Sequence, residues 1–190
     1  MNRKGFTLVE MLAMLVVLGI IMVIAVPNIS GIMDNHKTNV TITDASKMVE
    51  SAKATVSLKY KKKINENDCF VLALNELDKN DDFQTGGNGG TYDMYDSFAV
   101  VAYKKGSTTY HYEYYVRIVE LVDGKKIGIN FSKIEDIENK DNKLIVELDN
   151  THSLKPESGA IDAAAAKTMV NSLKSNLCGN VVGLYLGPER

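Results

Sequence analysis

From residue 6 to residue 26 the chain is apolar except at Thr7, Glu10 and Gly19, and Glu10 is the single charge in that run. Twenty-one helical residues at 1.5 Å each reach about 30 Å, one hydrocarbon thickness of a bilayer. Beyond Pro27 the pattern changes to an amphipathic one: Ala45, Met48, Val49, Ala52 and Val56 recur at three- and four-residue steps. This predicts that helix continues to about residue 63 with one apolar stripe facing the rest of the protein. Its middle is rich in poor helix formers (Gly31, Asn35, Thr38, Asn39, Val40, Thr41 and Thr43) and is expected to bend or melt.

After a turn at 65–68, Val71, Leu72, Leu74 and Leu77 predict a short helix over 69–79. Residues 78–96 form a polar stretch, DKNDDFQTGGNGGTYDMYD, whose glycines read as a flexible loop tip. β-branched and aromatic residues then dominate 97–104 and 108–122, with Lys105-Gly106-Ser107 as a hairpin turn and Asp123-Gly124 as a second. Two shorter runs, 125–131 and 143–148, complete an antiparallel sheet of about four strands. Residues 160–177 read as a further helix closed by Cys178-Gly179, and 180–186 as one more short strand. The fold class is α+β: a long N-terminal helix packed on the apolar face of the sheet, with an additional C-terminal helix.

The 190 residues suit one modest globular domain behind the apolar helix. Lys and Arg number 22 against 24 Asp and Glu, for a formal charge of −2, so charge alone does not point to nucleic acid. Arg3 and Lys4 precede the apolar run and place its N-terminal end in the cytoplasm, with the remainder exported. No convincing small-residue cleavage site follows the run, so the segment is expected to be retained. Export puts Cys69 and Cys178, the only cysteines, where a disulfide can persist; pairing and free thiols are both open.

A carboxylate inside an apolar span is costly and usually serves a purpose. The residues around it, Lys4-Gly5-Phe6-Thr7-Leu8-Val9-Glu10, resemble the N-terminal signature of type IV pilins and pseudopilins, K-G-F-T-L-x-E. The resemblance covers roughly the first thirty residues. It implies cleavage between Gly5 and Phe6 by a prepilin peptidase and N-methylation of Phe6. It also implies that Glu10 neutralises the terminal amine of a neighbouring subunit, with Thr7, Leu8, Val9 and Pro27 in the assembly segment. Loss of Arg3 and Lys4 would take the formal charge from −2 to −4. The chain then divides into a leader (1–5), a transmembrane and assembly helix (6–27), its amphipathic continuation (28–64) and a globular head (65–190). The implied life history starts in the inner membrane with the N-terminus inside. It ends in a cell-surface filament, homo-oligomeric or mixed with other pilins, built by an assembly platform. A pseudopilin of a type II secretion or competence DNA-uptake system shares the signature. An alternative of another class is a membrane-tethered binding or enzymatic domain.

No catalytic set is expected. His36, His111 and His152 are scattered, and no GxSxG, HExxH, phosphate-loop or CxxC pattern occurs. No cofactor is expected either. Asp81, Asp82, Asp93 and Asp96 are hard oxygen donors on the polar loop and make it a candidate calcium site. They lack EF-hand spacing, and a solvated loop is the plainer reading. Lys59 to Lys63 read as cations compensating the helix C-terminal dipole, with a DNA-contacting patch as the sharper alternative. The tyrosines between Tyr103 and Tyr115 fit half-buried strands, with an aromatic binding face for glycans or single strands as the alternative.

Overall fold

The computed structural model describes residues 7–60, 62–139 and 144–188, with the backbone alone at 22–34. The chain forms two compact units, Met1–His36 and Lys37–Arg190. Helix α1 (Leu8–Lys59) runs for 52 residues, a few short of the expected end. It is uninterrupted through the weak helix formers at 31–43. Two of these, Thr38 and Thr41, are buried. The single Thr41 Oγ1 proton is shared between the Lys37 carbonyl at 3.1 Å and Glu120 Oε1 at 3.2 Å. Tertiary contact overrides propensity there.

Within Lys37–Arg190 the order is β1 (Asp68–Ala73), α2 (Leu74–Leu77), β2 (Thr91–Tyr92), β3 (Phe98–Lys105), β4 (Tyr110–Val122) and β5 (Lys125–Lys133). There follow α3 (Ile134–Glu138), β6 (Ile145–Glu147), α4 (Ala163–Leu173) and β7 (Asn180–Tyr185). Among the described residues the sheet has seven strands in the order β6-β5-β4-β3-β1-β7, with β2 paired to the far end of β4. All pairings are antiparallel except β1 with β7.

The sheet is thus α+β as expected but larger than the four strands anticipated. The run at 69–79 is the main correction: it is strand β1 and only one turn of helix. Every residue of β1 is buried, with Phe70 and Leu72 in the cluster under α1 and Val71 and Ala73 in the cluster on the opposite face. A strand covered on both faces has no alternating pattern, so its apolar run imitates a helix. The last helix is also shorter than 160–177. Asp162 starts it by accepting from Ala165 N at 2.7 Å, and Leu173 ends it.

The sheet carries a layer on each face. Ala45, Met48, Val49, Ala52 and Val56 of α1 pack with Phe70, Val101, Val116 and Ile118. On the other face Leu154, Val170 of α4 and Leu177 pack with Val71, Phe98, Val100 and Tyr115. Burying a side chain such as Met48, fully covered, contributes about 1.5–3 kcal/mol. At the β4–β5 turn Asp123 and Gly124 take φ of 50° and 78°, the primed hairpin geometry that the Asp-Gly pair announces.

The glycine-rich stretch is not the flexible tip expected. It lies against the buried carboxylate of Glu120, which accepts from Asn88 N at 2.9 Å and Asn88 Nδ2 at 3.0 Å as well as from Thr41. Glycine is required for that approach. A Cβ on Gly86 would lie 2.1 Å from Glu120 Cδ, and one on Gly87 would lie 2.2 Å from the Lys37 carbonyl oxygen. Gly87→Ala is therefore expected to destabilise the fold by about 1–3 kcal/mol, because the obstacle is backbone. Chemical denaturation checks this, and an unchanged midpoint would mean that the loop does not dock.

Candidate functional site

The N-terminus of α1 gathers the residues that the sequence singles out. Thr7 precedes the first helical residue, Leu8, which makes Glu10 the third residue of the helix. The Thr7 backbone N–H donates to Glu10 Oε2 at 2.8 Å, and the Thr7 hydroxyl donates to the same oxygen at 2.9 Å. In return the Glu10 N–H donates to Thr7 Oγ1 at 3.3 Å. This reciprocal pair is a capping box, in which threonine and glutamate satisfy two N–H groups that a helix start leaves orphaned. The Thr-x-x-Glu spacing before an apolar run is a sequence signal for such a cap.

Among the described residues Leu8 and Val9 are the most exposed large apolar ones, at 82% and 74%, and exposure above half continues on this helix to Ile21. Gly19 lies in that stretch with nothing within 4 Å of where its Cβ would be. Apolar surface on all sides of a helix is stable only against lipid or other helices. Among the described residues no helix is long and apolar enough to cross a membrane. The apolar side chains described, Leu8 through Ile21, supply only about 21 Å. Gly5 and Phe6 lie outside the described residues, and the side chain of Pro27 does too.

In Lys37–Arg190, Cys69 and Cys178 form a disulfide with a Cα–Cα distance of 5.5 Å. It joins β1 to the segment leading into β7, where Lys104 Nζ donates to the Leu177 carbonyl at 2.6 Å and to Asn67 Oδ1 at 2.8 Å. The four loop aspartates are not brought together. Among the described residues no group of three or more His, Cys, Asp or Glu is placed to hold a metal ion. Asp93 and Asp96 both face the Lys126 ammonium instead, and Asp93 also accepts from the N–H groups of Tyr95 and Asp96. The Asp82 N–H donates to Asp78 Oδ1 at 2.7 Å, and Asp81 takes a φ of 57°.

One polar constellation was not legible in sequence. His152 Nδ1 lies 3.0 Å from Asp149 Oδ1, and its Nε2 lies 3.4 Å from Ser172 Oγ on α4. The bond from His152 holds the Asp149 carboxyl down at about 2, with Thr151 adding to the effect. The order Asp-His-Ser resembles a nucleophilic triad, but the Ser172 hydroxyl donates to the Met169 carbonyl at 2.7 Å. With Nδ1 on Asp149 and Nε2 beside Ser172, the ring bridges the β6–α4 connection and α4. Asp149 also lies 3.7 Å from buried Arg117.

Compared with known proteins, residues 1–26 match the family model described as the prokaryotic N-terminal methylation motif. No curated protein and no solved structure matches the chain. The matched segment contains the capping box and opens the exposed apolar helix, and it carries the type IV pilin and pseudopilin signature.

Proposed function

We propose that the chain is a type IV pilin-like structural subunit, made as a membrane-anchored precursor, trimmed between Gly5 and Phe6, methylated at Phe6 and polymerised into a surface filament. The observation that carries this reading is the methylation motif of residues 1–26, running into a helix whose apolar side chains are exposed from Leu8 to Ile21. Such a surface is costly in water and stable once helices pack side by side, so assembly supplies the burial that the single chain lacks. Before assembly the precursor sits in the inner membrane with its N-terminus inside, and its partners are the prepilin peptidase, the assembly platform and further pilin subunits. The role is structural. The disulfide suits an exported head.

Intact-mass measurement of the protein expressed with and without a prepilin peptidase tests the reading. The expected product lacks residues 1–5 and carries one added methyl group. Gly5→Val is expected to block trimming. An unchanged mass with active peptidase would leave a tethered exoplasmic domain, and a trimmed Gly5→Val chain would move the cleavage site.

A further inference from the structure

The β3–β4 hairpin carries a row of tyrosines that the core does not use up. Tyr103, Tyr110, Tyr112 and Tyr114 share the sheet face that packs on α1, with Tyr103 opposite Tyr112 and Tyr110 opposite Lys105. Tyr103 stacks on Tyr110 with centroids 5.2 Å apart and planes 8° apart, and it also meets Tyr112 at 5.2 Å. Tyr112 leads on to Tyr114 at 6.5 Å. Nearest the hairpin turn, Tyr110 remains 49% and Tyr112 37% exposed. Between Tyr112, Tyr114 and the end of α1 lies a cleft of about 100 Å³, walled by Val56, Tyr60 and Ile64.

Two sequence features that each had a plain explanation meet here. The Lys53 ammonium sits 4.6 Å from the Tyr114 ring centroid and lines the cleft. Exposed Lys62 and Lys63 immediately precede Ile64, and exposed Lys105 faces Tyr110 across the hairpin. Among the described residues no carboxylate lines the cleft. Glu113 points to the opposite face and is bound by Lys133 at 2.9 Å, while Glu135 is the carboxylate that Tyr114 feels. Burial raises the Tyr112 and Tyr114 hydroxyls above their ordinary range, so both rings stay neutral.

A ligand for this face needs flat surfaces to lie on rings and negative charge to meet a rim of lysines. A neutral glycan has no use for the cations and would want carboxylates or amides beside the rings. A duplex hides the faces of its bases. We propose that the tyrosine face of the β3–β4 hairpin binds single-stranded nucleic acid, its bases stacking on Tyr110 and Tyr112 and its phosphates meeting Lys53, Lys105 and the Lys62–Lys63 pair. Aromatic rings beside cations are the general means of holding a single strand without reading its sequence. The inference stands apart from the filament reading, since it concerns the head surface and does not depend on trimming or polymerisation.

The test is fluorescence anisotropy of a labelled oligothymidylate titrated with the full chain in detergent micelles, at several salt concentrations. Tyr112→Ala is expected to weaken binding roughly tenfold, the loss of one stacked base. Tyr112→Phe keeps the ring and should bind within about twofold of the parent. Lys53→Gln should lower the slope of log affinity against log salt by about 0.7, the value of one phosphate contact. The chain contains no tryptophan, so stacking is also expected to quench its tyrosine emission on binding. The proposal fails if the parent does not bind the oligonucleotide at low salt. It fails equally if Tyr112→Ala, melting like the parent, binds as tightly, or if a neutral oligoglucan or a duplex competes as well as the single strand. Loss of self-association in Tyr112→Ala with oligonucleotide affinity intact would reassign the face to a second copy of the chain.

Discussion

Replacing Cys69 and Cys178 together by alanine is expected to lower the melting temperature of the oxidised head by roughly 10–20 °C. The two cysteines are 109 positions apart, and a cross-link closing a loop of that length removes unfolded-chain entropy worth about 4–5 kcal/mol in the chain-entropy model. The location adds to the effect. β7 is an edge strand, its one neighbour among the described residues is β1, and that pairing is the parallel one, which is slightly weaker per residue. Without the bond, the edge keeps the β1 ladder, the Lys104 contacts to Leu177 and Asn176, the Gly179 N–H to the Asn67 carbonyl at 2.7 Å, the Asn171 amide on the Cys178 backbone and the packing of Leu177. Alanine is the right replacement because both cysteines lie in an apolar cluster, where a serine hydroxyl would add its own desolvation cost. Reducing the parent protein should bring its melting temperature down to that of the double variant and leave the variant unmoved. A fall of only a few degrees, or a variant that still responds to reductant, would show that the bond does not hold this edge.

The sequence discloses the fold where a periodic stripe or flanking turn signals mark an element and hides it where neither is present. The α1 stripe from Ala45 to Val56 repeats because one face is covered, while β3 to β5, with Phe98–Ala102 buried on both faces, stand where their β-branched and aromatic runs and the turns between them, Asp123-Gly124 included, place them. β1 is buried on both faces, so period could not separate strand from helix, and its two neighbours in the sheet come from distant parts of the chain. β2 is two residues long and α3 five, too short for any period to register. The glycine-rich stretch was misread for a different reason. Its partner is a glutamate 32 residues from Asn88 that looks in sequence like a surface charge on a strand, and only the fold shows it with no exposure. The aspartates were a matter of chemistry without geometry: their type suits calcium, yet Lys126 stands against two of them. At the N-terminus the motif was fully legible, since every residue of it lies within one short segment. The local bond between Thr7 and Glu10 was legible too, from the same four letters, and it gives the glutamate a role within its own chain beside the proposed one between subunits.

Glu10→Ala and Glu10→Gln are both expected to insert and be trimmed like the parent, yet to enter filaments roughly a hundredfold less efficiently. The size of the effect separates the local cap from the proposed intersubunit charge pair. As the third residue of a capping box it holds one helix start, a contribution of about 1 kcal/mol. As a partner for the terminal amine of a neighbouring subunit it would be one half of a charge pair out of water, and removing one half of such a pair costs about 3–5 kcal/mol. The first loss corresponds to about fivefold and the second to a hundredfold or more. Glutamine discriminates between them because it can cap as glutamate does but carries no charge. Thr7→Val works from the other side: it removes the hydroxyl bonds at 2.9 and 3.3 Å and leaves the carboxylate free for a neighbour. Its filament yield should fall by no more than about fivefold. Quantifying sheared filaments against total trimmed subunit for the four proteins decides the matter. Parent-level yield from Glu10→Gln would reduce the glutamate to a cap. A Thr7→Val defect as deep as that of Glu10→Ala would mean that the start of the helix itself, and not the charge, is what the growing filament recognises.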